Sequence, residues 1–206
     1  MTARDEQHAE TREASQQAVA ALIRAALGGD HDAFRQLVER KQDLVFRVAH
    51  NQLGSVDDAR AVAQDVFVRV WKNLGSYDLS RPFDTWLCQV TTNAAIDHHR
   101  RRKARPVETE FNESLHAGSV TADPVEAQQL REILRQALSI LGEKQRMAFV
   151  LREVEGLPTD EVATVLGITE STVRNHVFQA RKLLRAEIAG RYPELARHLP
   201  GSDEPS

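Results

Sequence analysis

The chain has 206 residues, with 27 Lys and Arg set against 30 Asp and Glu for a net charge of −3, so a uniformly basic nucleic-acid coat is excluded. Its length allows one or two small domains with proper cores. The single cysteine, Cys88, excludes an internal disulfide and fits a reducing compartment.

No apolar run approaches a membrane span, and Met1–Arg12 carries charges where a secretory signal needs an apolar stretch. A cytoplasmic protein is therefore expected. Abundant Ala, Leu, Arg, Glu and Gln, few aromatics and no alternating run predict an all-α fold.

Residues 1–17 are polar and mixed in charge and read as a disordered lead. A first helical domain is expected over 18–105. Its clearest helix is Ser55–Lys72, with Ser55 as cap and Asp57 and Asp58 where the helix dipole favours negative charge. Ala59, Val62, Ala63, Val66, Phe67 and Val70 mark its inner face, while Arg60, Gln64, Arg69 and Lys72 fall outside, with Asp65 at the margin.

The turn-rich Gly75–Arg81 follows and carries Tyr77. A second helix begins near Pro82–Asp84 and runs through Trp86, Leu87, Val90, Ala94 and Ala95. Its outer stripe is Gln89, Asn93, Ile96, Asp97 and Arg100. Beyond it, Arg100, Arg101, Arg102, Lys103 and Arg105 put five cations in six positions, more than a helix C-terminus needs, and suit phosphate contact.

Residues 106–125 are rich in Gly, Ser, Thr, Asn and acids and read as a flexible acidic linker. A second helical domain is expected over 126–190, with helices at Glu126–Leu141, Glu143–Val154, Thr159–Leu166 and Glu170–Glu187. Residues 191–206, with Pro200, Gly201 and Pro205, read as a disordered tail.

Within this second domain, Glu153–Arg185 has the order of a helix-turn-helix. Ala163 lets a second helix cross closely, Gly167 permits a left-handed turn, Ile168 plugs it and Thr169 caps the next helix. In that helix Val173, Val177, Ala180 and Leu184 share one face. The other carries Arg174, Phe178, Arg181 and Arg185, with Asn175, Gln179 and Lys182 beside them. Such a face suits both base edges and phosphates. A solvated basic helix would explain the cations, but not Phe178 on the polar face or the ordered turn upstream.

Three blocks carry a more specific resemblance. They are DDARAVAQDVFVRVWKNLGSYD (Asp57–Asp78), RPFDTWLCQVTTNAAIDHHRRRK (Arg81–Lys103) and LGEKQRMAFVLREVEGLPTDEVATVLGITESTVRNHVFQARKLLR (Leu141–Arg185). In this order they resemble regions 2.1–2.2, 2.3–2.4 and 4 of the extracytoplasmic-function (ECF) bacterial sigma factors.

The resemblance implies a factor that binds core RNA polymerase and confers promoter specificity, without catalysis or a cofactor of its own. It implies polymerase docking through Asp57, Asp58, Gln64, Asp65, Arg69 and Trp71. It implies −10 contacts by Asn93, Asp97, Arg100, Arg101, Arg102 and Lys103, and a Tyr77-bearing loop that pockets a flipped base.

It also implies −35 base contacts by Arg174, Asn175, Phe178 and Gln179. Phosphate contacts would come from Ser171, Thr172, Arg181, Lys182 and Arg185. Core polymerase, promoter DNA and an anti-sigma factor are the implied partners. Glu108, Glu110 and Glu113 are expected either to mimic a nucleic-acid backbone inside the polymerase or to act as a solvated tether.

Pro158, Thr159 and Cys88 depart from the family's usual residues, Pro158 where a capping side chain is common and the other two where aromatics are. Among rival readings, a response regulator would need alternating strands and helices, and a simple repressor would not need the first two blocks. A metal enzyme would have to use Asp97, His98 and His99, which as neighbours on a helix point apart. His98 and His99 are expected to face nucleic acid or solvent.

Overall fold

A computed structural model of the protein describes residues 16–104 and 133–191, which are helical apart from turns and form two separate units. The linker 106–125 lies outside the described residues, as do Arg105 and most of the lead and tail.

The first unit is a four-helix bundle of α1 (16–27), α2 (His31–Leu53), α3 (Val56–Asn73) and α4 (Phe83–Ala104). Gln16 and Gln17, assigned above to the lead, are already helical. Local chemistry sets the boundaries. Asp30 caps α2 by accepting from the amides of Asp32 and Ala33 at 2.9 and 3.0 Å. Gly54 ends α2 at φ 72°, and Ser55 then caps α3 by accepting from the Asp58 amide at 3.3 Å.

One short 3₁₀ turn, Leu74–Ser76, closes α3. α2, α3 and α4 pack on one another around Leu37, Val45, Val62, Val66, Val70 and Leu87, all essentially inaccessible, while α1 adds Val19, Ile23 and Ala26. Burial on this scale is what holds a small bundle together, at about 25 cal/mol per Å² of apolar surface removed from water. Of the inner face read from the sequence, Ala59, Val62, Val66 and Val70 are buried, and Ala63 and Phe67 lie partly buried against them.

Among the described residues, Thr85, Thr91 and Thr92 are the buried polar residues of this unit. Thr91 donates to the Leu87 carbonyl at 2.8 Å, and Thr92 accepts from Gln52 Nε2 at 3.1 Å. The hydroxyls of Thr91 and Thr92 are thereby satisfied inside the core. Cys88, near them in the chain, is buried and in no disulfide.

The second unit comprises α5 (133–139), α6 (Glu143–Phe149), α7 (Thr159–Leu166) and α8 (Glu170–Arg191). The expected Glu143–Val154 helix is not uniform. It widens into a π turn at Val150–Val154, where the Glu155 amide bonds back to the Val150 carbonyl at 3.0 Å. The wider turn buries both Val150 and Leu151 and brings the chain to Gly156 at φ 71°. α8 also runs to Arg191, a turn beyond the expected end at Glu187.

α7 spans the residues expected. Pro158 precedes it with no side-chain cap, which the missing proline N–H tolerates at a helix start. Gly167 ends it at φ 63°, and the amides of Gly167 and Ile168 bond back to Thr164 and Ala163. Thr169 then caps α8 by accepting from the Thr172 amide at 3.3 Å. Val162, Ala163 and Val165 of α7 and Val173, Val177, Ala180 and Leu184 of α8 are buried. The helix-turn-helix is therefore clamped by apolar packing on its inner side.

Candidate nucleic-acid interface

In the second unit, four buried aliphatic positions of α8 turn the rest of the helix outward. Arg174, Asn175, Arg181, Lys182 and Arg185 are exposed, and Phe178 is 49% exposed among them. A phenyl ring left in water on a cationic face has no part in the core, and its apolar edge suits a thymine methyl. Gln179 is half-buried at the margin of this face.

At the start of α8, the Thr169 hydroxyl lies 3.0 Å from that of Ser171 and 2.8 Å from that of Thr172. Three hydroxyls thus gather at a helix N-terminus, where the dipole favours a phosphate. Two ionic contacts hold the cations in place. Arg174 bonds Glu170 at 3.2 Å across one helical turn, and Arg181 reaches Glu153 on the π turn at 2.7 Å. The first follows from i,i+4 spacing; the second joins residues of separate elements and has no local signal.

In the first unit, Asn93, Arg100 and Arg101 are exposed on α4, and Lys103 follows on its last turn. Arg101 Nε donates to the Asp97 carbonyl at 3.2 Å. The Asp97 carboxylate instead faces α3, where it accepts from Arg69 Nη1 at 3.1 Å. Arg69 also binds Asp65 at 2.8 Å. Burial opposes the Arg69 charge, but its bonds to these two carboxylates outweigh that and hold its pKa above the ordinary value.

His98 is turned toward α3, its side chain 27% exposed. Its Nε2 lies 2.9 Å from Asp58 Oδ1, and Arg102 Nη1 donates to Asp58 Oδ2. His98 and Arg102 are one turn apart, so both fall on the strip of α4 that meets α3. Asp58 is correspondingly withdrawn, its side chain only 19% exposed. Of the other α3 residues assigned to docking, Asp57, Gln64 and Trp71 remain outward. Asp57 is exposed beside Arg60 at 3.8 Å, Gln64 is exposed, and Trp71 is 39% exposed. Trp71 is partly packed, its ring edge-on to Phe34 at 4.7 Å and tilted against His31 at 5.3 Å.

Tyr77 is not a free ring on a loop. It packs against Phe83 and Trp86 at centroid distances of 5.3 and 5.1 Å, and its hydroxyl donates to the Arg81 carbonyl. Burial, with Asp78 and Asp84 nearby, pushes its pKa up to about 12. The adjacent Asp78 accepts from the Ser80 hydroxyl and amide at 2.7 and 2.9 Å, which lowers its pKa. The Gly75–Arg81 loop is therefore a bonded turn with an aromatic wall.

Among the described residues no cluster of His, Cys, Asp and Glu has the arrangement to hold a metal ion, and Asp97, His98 and His99 do not converge. No described helix is long and apolar enough to cross a membrane.

A helical bundle with an exposed basic helix end, followed by a helix-turn-helix with an exposed reading face, defines a two-part DNA-binding protein. Residues 37–105 match the family described as Sigma-70 region 2, and residues 131–184 match Sigma-70, region 4. The ECF RNA polymerase sigma factor SigW of Bacillus subtilis is 30% identical over 176 residues, covering 81% of this chain and 94% of SigW. The ECF RNA polymerase sigma-E factor of Escherichia coli K12 is 30% identical over 173 residues, covering 79% of this chain and 90% of that protein.

A solved structure of CnrH, in complex with the cytosolic domain of CnrY, superposes with a TM-score of 0.65 at 26% identity, covering 84% of this chain and 99% of CnrH. The chain belongs to the ECF RNA polymerase sigma factors. Its function is that of an RNA polymerase sigma factor, acting in promoter recognition and transcription initiation.

Proposed function

We propose a division of that work between the two units. The α8 face reads the −35 element, the α4 end with the Gly75–Arg81 loop engages the −10 element, and the outer face of α3 docks on core polymerase. The observation that carries this reading is the exposed Arg174, Asn175 and Phe178 on a helix whose opposite side buries Val173, Val177, Ala180 and Leu184.

Recognition helices present such residues to the major groove. Arg174 suits a guanine edge, Asn175 or Gln179 an adenine, and Phe178 a thymine methyl. Ser171, Thr172, Arg181, Lys182 and Arg185 fix the register through phosphates. In the first unit Asn93 and Arg100–Lys103 meet the −10 strand. Tyr77, Phe83 and Trp86 form the aromatic wall beside which an unstacked base comes to rest. On α3, Asp57, Gln64, Asp65 and Trp71 supply the polymerase contacts, with Arg69 held between Asp65 and Asp97.

The protein acts where polymerase acts, in the cytoplasm, and the chemistry of RNA synthesis belongs wholly to the polymerase. CnrH is solved in complex with the cytosolic domain of CnrY, and an anti-sigma factor is proposed as a partner of this chain.

Run-off transcription with purified core polymerase on fragmented DNA from the source organism tests the reading. Transcripts that appear only with this protein, and that share two spaced upstream motifs, are expected. A folded protein that neither co-elutes with core polymerase nor yields such transcripts would overturn it.

A further inference from the structure

The family resemblance implies polymerase docking through both Asp57 and Asp58, neighbours in the first turn of α3. Adjacent residues on a helix point in different directions, and the structure separates this pair. The Asp57 side chain is 76% exposed, whereas that of Asp58 is 19% exposed and directed across to α4. Each carboxylate oxygen of Asp58 already holds a partner: His98 Nε2 at 2.9 Å on Oδ1, and Arg102 Nη1 on Oδ2. The backbone beneath it is fixed as well, since its amide donates to the Ser55 cap at 3.3 Å.

Arg102 has a planar fork of five N–H donors, and its side chain remains 47% exposed. One side of the fork on Asp58 leaves the other available to an incoming phosphate. We propose that Asp58 is a positioning residue for the −10 surface and not a polymerase contact: it sets the orientation of Arg102, and of His98 one turn before it, so that the basic end of α4 presents a fixed row of donors to the DNA backbone. This rests on the proposed −10 role of α4.

A flexible arginine loses rotamer freedom when it binds a phosphate; one already held by a carboxylate has lost that freedom in advance. The same principle makes Asp58 favourable for DNA binding despite its negative charge beside a polyanion. An alternative role, simple repulsion that restrains non-specific binding, predicts the opposite sign.

The test uses holoenzyme reconstituted from core polymerase and the full chain, with a fluorescent promoter fragment containing both elements. Asp58→Asn is expected to leave affinity for core polymerase within about twofold while weakening promoter binding about fivefold. In an Arg102→Ala background, Asp58→Asn is expected to add less than about twofold, because its effect passes through Arg102. Asp58→Glu, which retains the carboxylate, is expected to recover most of the loss.

Weakened core binding with normal promoter affinity would return Asp58 to the polymerase face. Tighter promoter binding would establish repulsion. Unchanged binding of both, or full additivity with Arg102→Ala, would also overturn the proposal. Should Asp58→Asn fail to fold, His98→Ala reads the same split, with a two- to threefold promoter loss expected and no change overturning it. If wild-type holoenzyme itself fails to bind the fragment, the −10 assignment fails instead, and the two failures are distinct.

Discussion

Replacing Arg174 by Ala separates base reading from phosphate contact. In the free protein Arg174 bonds Glu170 at 3.2 Å, with side chains 63% and 49% exposed. An exposed i,i+4 pair of this kind contributes about 0.3–0.5 kcal/mol, which DNA binding has to displace. A bidentate bond to a guanine edge discriminates by about 1–3 kcal/mol. Subtracting the pair leaves about 0.5–2.7 kcal/mol, or roughly 2- to 100-fold in affinity for the preferred −35 sequence.

Because Arg174 is fully on the surface, folding stability should change by less than about 0.5 kcal/mol. The assay is fluorescence anisotropy of holoenzyme on duplexes carrying every single-base change in the −35 element, at one fixed salt concentration. Arg174→Ala should flatten preference at one position and leave the others intact. Lys182→Ala should weaken all duplexes alike and lower the slope of log affinity against log salt by about 0.9. If Arg174→Ala instead weakens every duplex equally, Arg174 is a phosphate contact and the assignment of the α8 face is wrong.

Three further outcomes are expected. Phe178→Ala should abolish any affinity difference between thymine and uracil at one −35 position, a difference that wild type shows through the methyl group; an undiminished difference would remove Phe178 from the reading face. Gly167→Ala should cost about 1 kcal/mol in urea denaturation, from backbone strain alone, because φ is 63° and no heavy atom lies within 4 Å of an added Cβ. In a Tyr192→Phe background, absorbance titration should show Tyr77 ionising near pH 12. Its raised pKa contributes stability that is whole below about pH 10, the unfolded value, and is lost as pH rises through the folded value; ionisation at pH 10 would contradict the packed loop.

Much of the second unit was legible because its cues are local. Gly167, Thr169 and the spacing of Val173, Val177, Ala180 and Leu184 each act within a few residues, and α7 falls at Thr159–Leu166 as expected. The inner face of α3 was legible for the same reason. Three features escaped because packing between elements decides them.

Asp58 meets residues 40 and 44 positions away, so nothing in its own turn shows that it faces α4. Asp97 lies on the outer stripe by periodicity, yet its carboxylate turns back to Arg69. The π turn at Val150–Val154 likewise reflects how Val150 and Leu151 are both drawn into the core, which residue type alone does not express.

The most direct measurement is photocrosslinking in reconstituted holoenzyme, with a photoreactive amino acid placed at Phe178 in one protein and at Asn93 in another. On a promoter that the protein transcribes, the Phe178 probe is predicted to label bases of the upstream element and the Asn93 probe those of the element nearer the start site. Labelling of neither element, or of the same element by both probes, would contradict the division of promoter reading between α8 and α4.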